Sequence, residues 1–146
     1  MGRLFCFSGE EAQITETEGV PVPIEVVPMQ RSTVGYEYLL KRSLTGSWIV
    51  LRGWQKPGES VEVACQNTLQ AQLGQSVSIG KAERVRLGGT SEPSTILYVC
   101  EVDLLAAMEE MRFFFQYPVP MSKNAQRKIW ECLQLLRKKT PRAARK

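Results

Sequence analysis

A chain of 146 residues, 43% of them hydrophobic and 23% charged, can bury its own core and fits one domain with appended ends. It contains no histidine, which excludes Ser-His-Asp and Cys-His catalysis and histidine-ligated zinc. The net charge of +4 is unevenly spread: residues 123–146 carry nine Lys or Arg against Glu131, a charge of +8, which leaves −4 for residues 1–122. We expect the basic end to face an anionic partner such as RNA, DNA, an acidic protein or a membrane surface, and a tail that only aids solubility is the alternative.

The sequence predicts an intracellular protein, either cytoplasmic or nuclear. No stretch reaches the roughly 20 apolar residues that span a bilayer, and the chain turns acidic at Glu10 before a signal-peptide core develops. The cysteines are far apart and form no C-x-x-C pair, so we expect buried free thiols at Cys6, Cys65, Cys100 and Cys132.

Strands are predicted in the first third of the chain. Runs rich in aromatic or β-branched residues predict strands at Arg3–Phe7 and Ile24–Pro28, and the prolines of the second run confine it to a sheet edge or to strand ends. Two further runs, Tyr36–Leu40 and Ser47–Leu51, are joined by the short glycine-containing segment KRSLTG. This arrangement predicts a hairpin.

A capped helix follows the hairpin. Ser60 is a typical N-cap and Gly74 a typical residue after a helix, so the sequence predicts a helix over Val61–Leu73. Two more strands are predicted around Ser76–Leu87 and Thr95–Val102, separated by the loop GGTSEPS.

The last third of the chain is predicted to be helical. One helix is expected over Asp103–Phe115 and another over Ser122–Lys138, with Pro118 and Pro120 between them. In the second helix, residues at three- and four-residue intervals predict a face that packs on the body of the protein: Ala125, Ile129, Cys132, Leu133 and Leu136.

The segment LRGWQKPGESVEVACQNTLQAQLGQ, from Leu51 to Gln75, resembles the Nudix box, G-x5-E-x7-R-E-U-x-E-E-x-G-U, in which U is aliphatic. Without a gap, Gly53 and Glu59 match its first glycine and glutamate, and Leu69 and Gly74 match its aliphatic residue and last glycine. The phrases YEYLLKRS and SWIVLRG also resemble the strands that enter this box.

The order of elements extends the resemblance over roughly residues 23–136. It implies an α/β (α+β) fold, with a Nudix-like mixed β-sheet sandwiched between helices. In this division, residues 1–22 form an N-terminal segment and residues 137–146 a basic C-terminal tail.

The chain departs from the box where the family binds metal. The R-E pair is Asn67-Thr68 and the E-E pair is Ala71-Gln72, and positions three and four apart share one helix face. In the family this face presents glutamates that hold magnesium against a substrate diphosphate. Thr, Ala and Gln cannot supply the anionic oxygens that magnesium requires. The resemblance therefore implies a degenerate box without catalytic residues, metal or cofactor. Residual hydrolysis of nucleoside diphosphate derivatives is the remaining enzymatic alternative.

Nudix proteins that lack activity include RNA-processing subunits, nucleotide sensors and adaptors, so the resemblance implies binding of RNA or a nucleotide, with a protein partner in a ribonucleoprotein or RNA-processing assembly. The candidate binding residues are cations near the box, on a later strand and at the basic end, with one tryptophan for stacking: Lys41, Arg42, Arg52, Trp54, Lys56, Arg84, Arg86, Arg137, Lys138 and Lys139. Two structural roles are alternatives to ligand binding. Lys41 and Arg42 are hairpin-turn residues in the first, and Trp54 packs against the helix in the second.

A competing function is protein docking without nucleic-acid contact. An aromatic run near Pro118 cannot be buried on one side of a helix, and exposed aromatic residues are typical of interfaces. The candidate docking residues are Phe113, Phe114, Phe115 and Tyr117, and a place in the core is the alternative for them.

Overall fold

The computed structural model describes residues 19–87, 95–104 and 110–139. Within these ranges the chain forms seven strands and two helices: β1 (Val22–Ser32), β2 (Gly35–Arg42), β3 (Trp48–Ile49), β4 (Leu51–Gln55), α1 (Val61–Leu73), β5 (Ile79–Val85), β6 (Ile96–Val102), β7 (Met111–Phe114) and α2 (Lys123–Lys139). The predicted strand Arg3–Phe7 and the loop GGTSEPS lie outside the described residues.

Strand β1 is the centre of one mixed sheet with the order β3-β2-β1-β6-β5. On one side of β1, β6 runs parallel to it. On the other side, β4 pairs antiparallel with the first part of β1 and β2 pairs antiparallel with its last part. The prediction that prolines confine this strand to an edge or occupy strand ends is therefore wrong for Pro28, which lies in the interior of β1. Pro28 is tolerated because the pairing with β4 ends at Val26 and that with β2 begins at Met29, so neither strand needs an N–H from Pro28.

The predicted hairpin and the predicted caps of α1 are confirmed. β2 and β3 pair antiparallel, with Lys41 opposite Ile49. The Ser60 hydroxyl accepts a hydrogen bond from the Val63 N–H, and Gly74 adopts the left-handed conformation at φ 72°. Because both caps are local signals, the predicted bounds of this helix match the observed ones.

The core has two halves, one on each face of the sheet. Leu69 and Cys65 of α1 pack with Ile24 and Leu51 of the sheet, and the other face is covered by α2. The predicted packing face of α2 is confirmed. Leu133 is partly buried against the core, and the other four residues of this face are buried: Ala125, Ile129, Cys132 and Leu136. The predicted fold class, a mixed sheet between helices, is confirmed.

The predicted helix over Asp103–Phe115 is wrong wherever the structure describes this segment, since Asp103 and Leu104 are not helical either. Met111–Phe114 forms β7, which pairs antiparallel with β2 and places Phe113 opposite Leu39. Residues 105–109 of that predicted helix lie outside the described residues. A distant strand, which no local pattern reveals, thus decides the conformation of this segment.

Three of the cysteines are buried free thiols, as predicted: Cys65, Cys100 and Cys132. A hydrogen bond with Cys65 and burial both raise the pKa of Cys100, and burial raises the pKa of Cys132. Cys6 lies outside the described residues. Neither helix of the described chain is long and apolar enough to cross a membrane.

Candidate functional site

A cleft of about 700 Å³ opens where α1 lies beside β4 and the start of β1. Its lining combines helix, strand and loop residues: Pro23, Ile24, Arg52, Gly53, Trp54, Asn67, Thr68, Ala71, Gln72 and Thr95. Among these described residues Arg52 is the one with a charged side chain. Five positions of the predicted box therefore meet in one cleft, together with two of the predicted binding residues.

The contact between Gly53 and Thr68 holds α1 against β4. Thr68 is 5% exposed, and a Cβ built on Gly53 would lie 2.2 Å from its Oγ1 atom. A larger residue at position 53 would therefore push the helix away from the strand. Leu69, the next residue along α1, is fully buried in the core beneath the cleft.

Gln72 ties the same helix to two strands. Its Oε1 accepts a hydrogen bond from Lys41 Nζ at 3.0 Å, and its Nε2 donates to the Arg52 carbonyl oxygen at 3.2 Å. Lys41 and Arg42 both lie on β2, so the alternative that they are hairpin-turn residues is wrong. Lys41 reaches the edge of the cleft through Gln72. Arg42 instead lies over the Trp48 ring, 5.0 Å from its centroid.

Glu59 is engaged by the turn that precedes α1. Its carboxylate accepts hydrogen bonds from the Lys56 N–H at 2.9 Å and from Asn67 Nδ2 at 2.7 Å. Gln55 Nε2 supports the same turn by donating to the Glu59 carbonyl oxygen. In the described parts of the chain, no three Cys, Asp or Glu side chains group as a metal site would require.

Tyr98 reaches the same turn from β6. Its hydroxyl donates a 2.6 Å hydrogen bond to Gln55 Oε1. Burial raises the pKa of Tyr98, although this hydrogen bond opposes the shift. The turn before α1, residues 56–59, which we call the box turn, is thus anchored to the sheet.

Arg52 and Trp54 lie on the face of β4 that points away from α1. Alternate strand residues share a face, and Gly53 between them faces Thr68 of the helix. Trp54 is 63% exposed, so the alternative that it packs against α1 is wrong. Its cross-strand partner is Pro23, which also lines the cleft. An exposed indole and a guanidinium group therefore stand side by side at the cleft.

A buried carboxylate behind Arg52 links the cleft to α2. Glu25 is 5% exposed; its Oε1 lies 2.6 Å from Lys128 Nζ and its Oε2 3.6 Å from Arg52 Nε. Neither Glu25 nor Lys128 was predicted from the sequence to belong to the site. The signal for Glu25 was one charged residue within the apolar run IEVV.

The other predicted cations lie elsewhere. Lys56 is exposed in the box turn, and Arg84 and Arg86 lie on and just after β5, the strand at the opposite end of the sheet from β3. Arg137 and Lys138 are exposed near the end of α2, and the side chain of Lys139 lies outside the described residues. The structure thus gathers Arg52, Trp54 and, through Gln72, Lys41 at the cleft, and it leaves the rest apart.

The predicted docking residues separate into two pairs. Strand alternation sends Phe113 toward the core half under α1 and Phe114 toward the half under α2, where its ring meets Trp48 edge-on at 4.8 Å. Both side chains are half-buried, which favours the alternative of a place in the core for these two. Phe115 is 57% exposed and Tyr117 37% exposed.

The Tyr117 ring lies 6.1 Å from the Tyr38 ring. Burial, with a smaller contribution from Tyr117, raises the pKa of Tyr38 to about 12. Burial also raises the pKa of Tyr117, which the charge of Arg137 partly offsets.

Solved structures with a similar arrangement are Nudix proteins, although the sequence matches no protein-family model and no curated protein. The Nudix hydrolase RenU from M. smegmatis has a TM-score of 0.58 and 16% identity, covering 84% of this chain and 90% of its own. The MutT protein from Methanosarcina mazei Go1 has a TM-score of 0.52 and 19% identity, covering 83% and 97%.

A third similar structure contains a ligand. The Nudix domain of Shewanella oneidensis NrtR, complexed with ADP-ribose, has a TM-score of 0.54 and 14% identity, covering 79% of this chain and 87% of its own. The element order, the mixed sheet between helices and these similarities together show that the chain has a Nudix fold.

Proposed function

We propose that this chain is a non-catalytic Nudix-fold protein that binds RNA or a nucleotide in the cleft between α1 and β4. The observation that carries the proposal is the lining of that cleft, which combines Arg52 and Trp54 of β4 with Thr68, Ala71 and Gln72 of the helix. A role within a ribonucleoprotein or RNA-processing assembly rests on the resemblance of the sequence alone.

The strand side of the cleft suits a base and a phosphate. An exposed indole offers a stacking surface for a base, and a guanidinium group binds phosphate oxygens through paired hydrogen bonds. Glu25 sits behind Arg52 and limits where that side chain can point, because their charged atoms are 3.6 Å apart. The structure of the NrtR Nudix domain with ADP-ribose supports a nucleotide as the class of ligand.

The helix side of the cleft suits binding without hydrolysis. Magnesium binds through several hard oxygen ligands, usually carboxylates together with substrate phosphates. The helix residues that line this cleft are uncharged, and Glu59 is held by Lys56 and Asn67 in the box turn. We therefore infer that a diphosphate binds here directly through Arg52 rather than through a metal bridge.

The test is calorimetric titration of the full chain with ADP-ribose, with and without magnesium, alongside an assay for its hydrolysis. We expect binding that does not require magnesium and no turnover. The Trp54→Ala variant should bind about tenfold more weakly, the loss of one stacking contact. Trp130→Ala, which removes an exposed tryptophan from α2, is the matched control and should bind normally.

Two results would contradict the proposal. Magnesium-dependent turnover of ADP-ribose by the purified chain would show that it is an enzyme. Unchanged affinity in both Trp54→Ala and Arg52→Gln would show that the cleft is not the binding site.

A further inference from the structure

Helix α2 exposes a second cationic surface, which does not line the cleft. Residues spaced four, three, four and three apart along the helix form what we call the α2 stripe: Lys123, Arg127, Trp130, Gln134 and Arg137. These spacings keep the five side chains on one helix face. The stripe lies opposite the residues by which α2 packs on the sheet, such as Ile129 and Cys132.

Trp130 is the unusual member of the stripe. It is 49% exposed, although the buried face of the same helix is made of small and aliphatic residues. The packing of α2 on the sheet therefore does not explain a tryptophan at this position. Large aromatic side chains that remain exposed among charged residues are typical of binding surfaces.

The charge around Trp130 is strongly positive. The described part of α2 carries five Lys or Arg side chains and one acidic residue, Glu131. The sequence continues with four more cations, Lys139, Arg142, Arg145 and Lys146. An anionic partner is therefore favoured at this end of the molecule.

A second exposed aromatic residue lies on the same side of the sheet as α2. Tyr117 is 37% exposed, and its ring lies 6.1 Å from that of Tyr38, which is buried in the core half under α2. Lys123 and Arg137 are about 21 Å apart along the helix axis. The three cations of the stripe and the Trp130 ring are thus spread over a length that accommodates several nucleotides.

We propose that the α2 stripe and Tyr117 bind single-stranded nucleic acid. Trp130 stacks on a base, while Arg137 and Lys123 contact backbone phosphates, the combination by which proteins hold single strands without reading their sequence. A single strand accounts for both features with one ligand, because its phosphates meet the cations and its bases stack on the indole. This surface goes beyond the nucleotide cleft, because it uses none of the residues that line it.

The first test is fluorescence anisotropy of labelled oligouridylate with the full chain. We expect Trp130→Ala to weaken binding about tenfold and Trp130→Phe to retain most of the affinity, because a phenyl ring still stacks. Leu44→Ala removes an exposed apolar side chain from the turn between β2 and β3 and should leave oligouridylate affinity unchanged. ADP-ribose titration of Trp130→Ala then distinguishes a failure of this surface from a failure of the cleft.

The second test measures the charge contribution through salt dependence. Arg137→Gln should reduce the slope of log affinity against log salt by about 0.7, the value for one phosphate contact with a single strand. Lys81→Gln makes the same charge change at an exposed position on β5 and should leave the slope unchanged.

The proposal fails if Trp130→Ala and Arg137→Gln both bind oligouridylate like the unsubstituted chain. It also fails if two results are found together. Polyglutamate would compete with oligouridylate at equal charge concentration, and Trp130→Ala would weaken the binding of polyglutamate as much as it weakens the binding of oligouridylate. This combination would assign the surface to an acidic protein.

Discussion

Gly53 is the point at which strand β4 and helix α1 come closest. Because its Cβ would lie 2.2 Å from Thr68 Oγ1, we expect Gly53→Ala to destabilise the protein by about 1–3 kcal/mol, the usual effect of overpacking. Urea denaturation measures this loss. The double variant Gly53→Ala/Thr68→Ala should recover part of it, since Thr68 then lacks the atoms in closest contact.

Gly80→Ala is a matched control for this effect. Its added Cβ would meet Glu101 at an ordinary distance of 3.5 Å, and it lies on a strand as Gly53 does. A similar loss of stability at both positions would show that the effect comes from replacing a strand glycine and not from the contact with Thr68.

The cleft residues were predictable where they follow one another in the sequence. The spacing from Gly53 to Gln72 could be aligned with a known motif, and the structure brings these positions together. Glu25 was not predictable in this way, because its partner Lys128 lies 103 positions away. The exposure of the Trp54 side chain could not be predicted either, since it depends on which face of β4 meets α1.

The first turn of α1 depends on the Ser60 side chain. Ser60→Ala removes the hydrogen bond that Oγ accepts from the Val63 N–H at 3.1 Å, so we expect a loss of about 1 kcal/mol in the free energy of unfolding. Ser60→Asp also caps helices and should stay near the original stability. Equal losses in the two variants would mean that the cap contributes little.

Elements whose ends are marked by local residues, such as helix caps, could be predicted from the sequence. The prediction failed where pairing with a strand distant in the sequence decides the conformation. Ser60 and Gly74 delimit α1 by themselves, so its bounds could be predicted from the sequence. Met111–Phe114 is a strand because β2 offers an edge to pair with, and Phe113 and Phe114 then reach opposite halves of the core. The predicted helix was wrong because pairing with a strand that is distant in the sequence decides the conformation of this segment.

At the scale of the whole molecule, Glu25 and Lys128 join the sheet to α2. Lys128→Met leaves a buried carboxylate with only the longer contact to Arg52, so we expect a destabilisation of about 3–5 kcal/mol. The double variant Glu25→Leu/Lys128→Met removes both charges and should recover most of it. Urea denaturation of the three chains checks this, and a double variant as unstable as Lys128→Met alone would contradict it.

The central position of β1 has a consequence for how the protein folds. Its parallel partner β6 begins with Ile96 opposite Ile24, seventy-two positions along the chain. Closing so long a loop is unfavourable in entropy until the new contacts form, and folds dominated by such distant pairings fold slowly. During synthesis, β1 therefore lacks its parallel neighbour until β6 has been made. Until then, the buried part of β1, residues 24–29, has an unpaired edge.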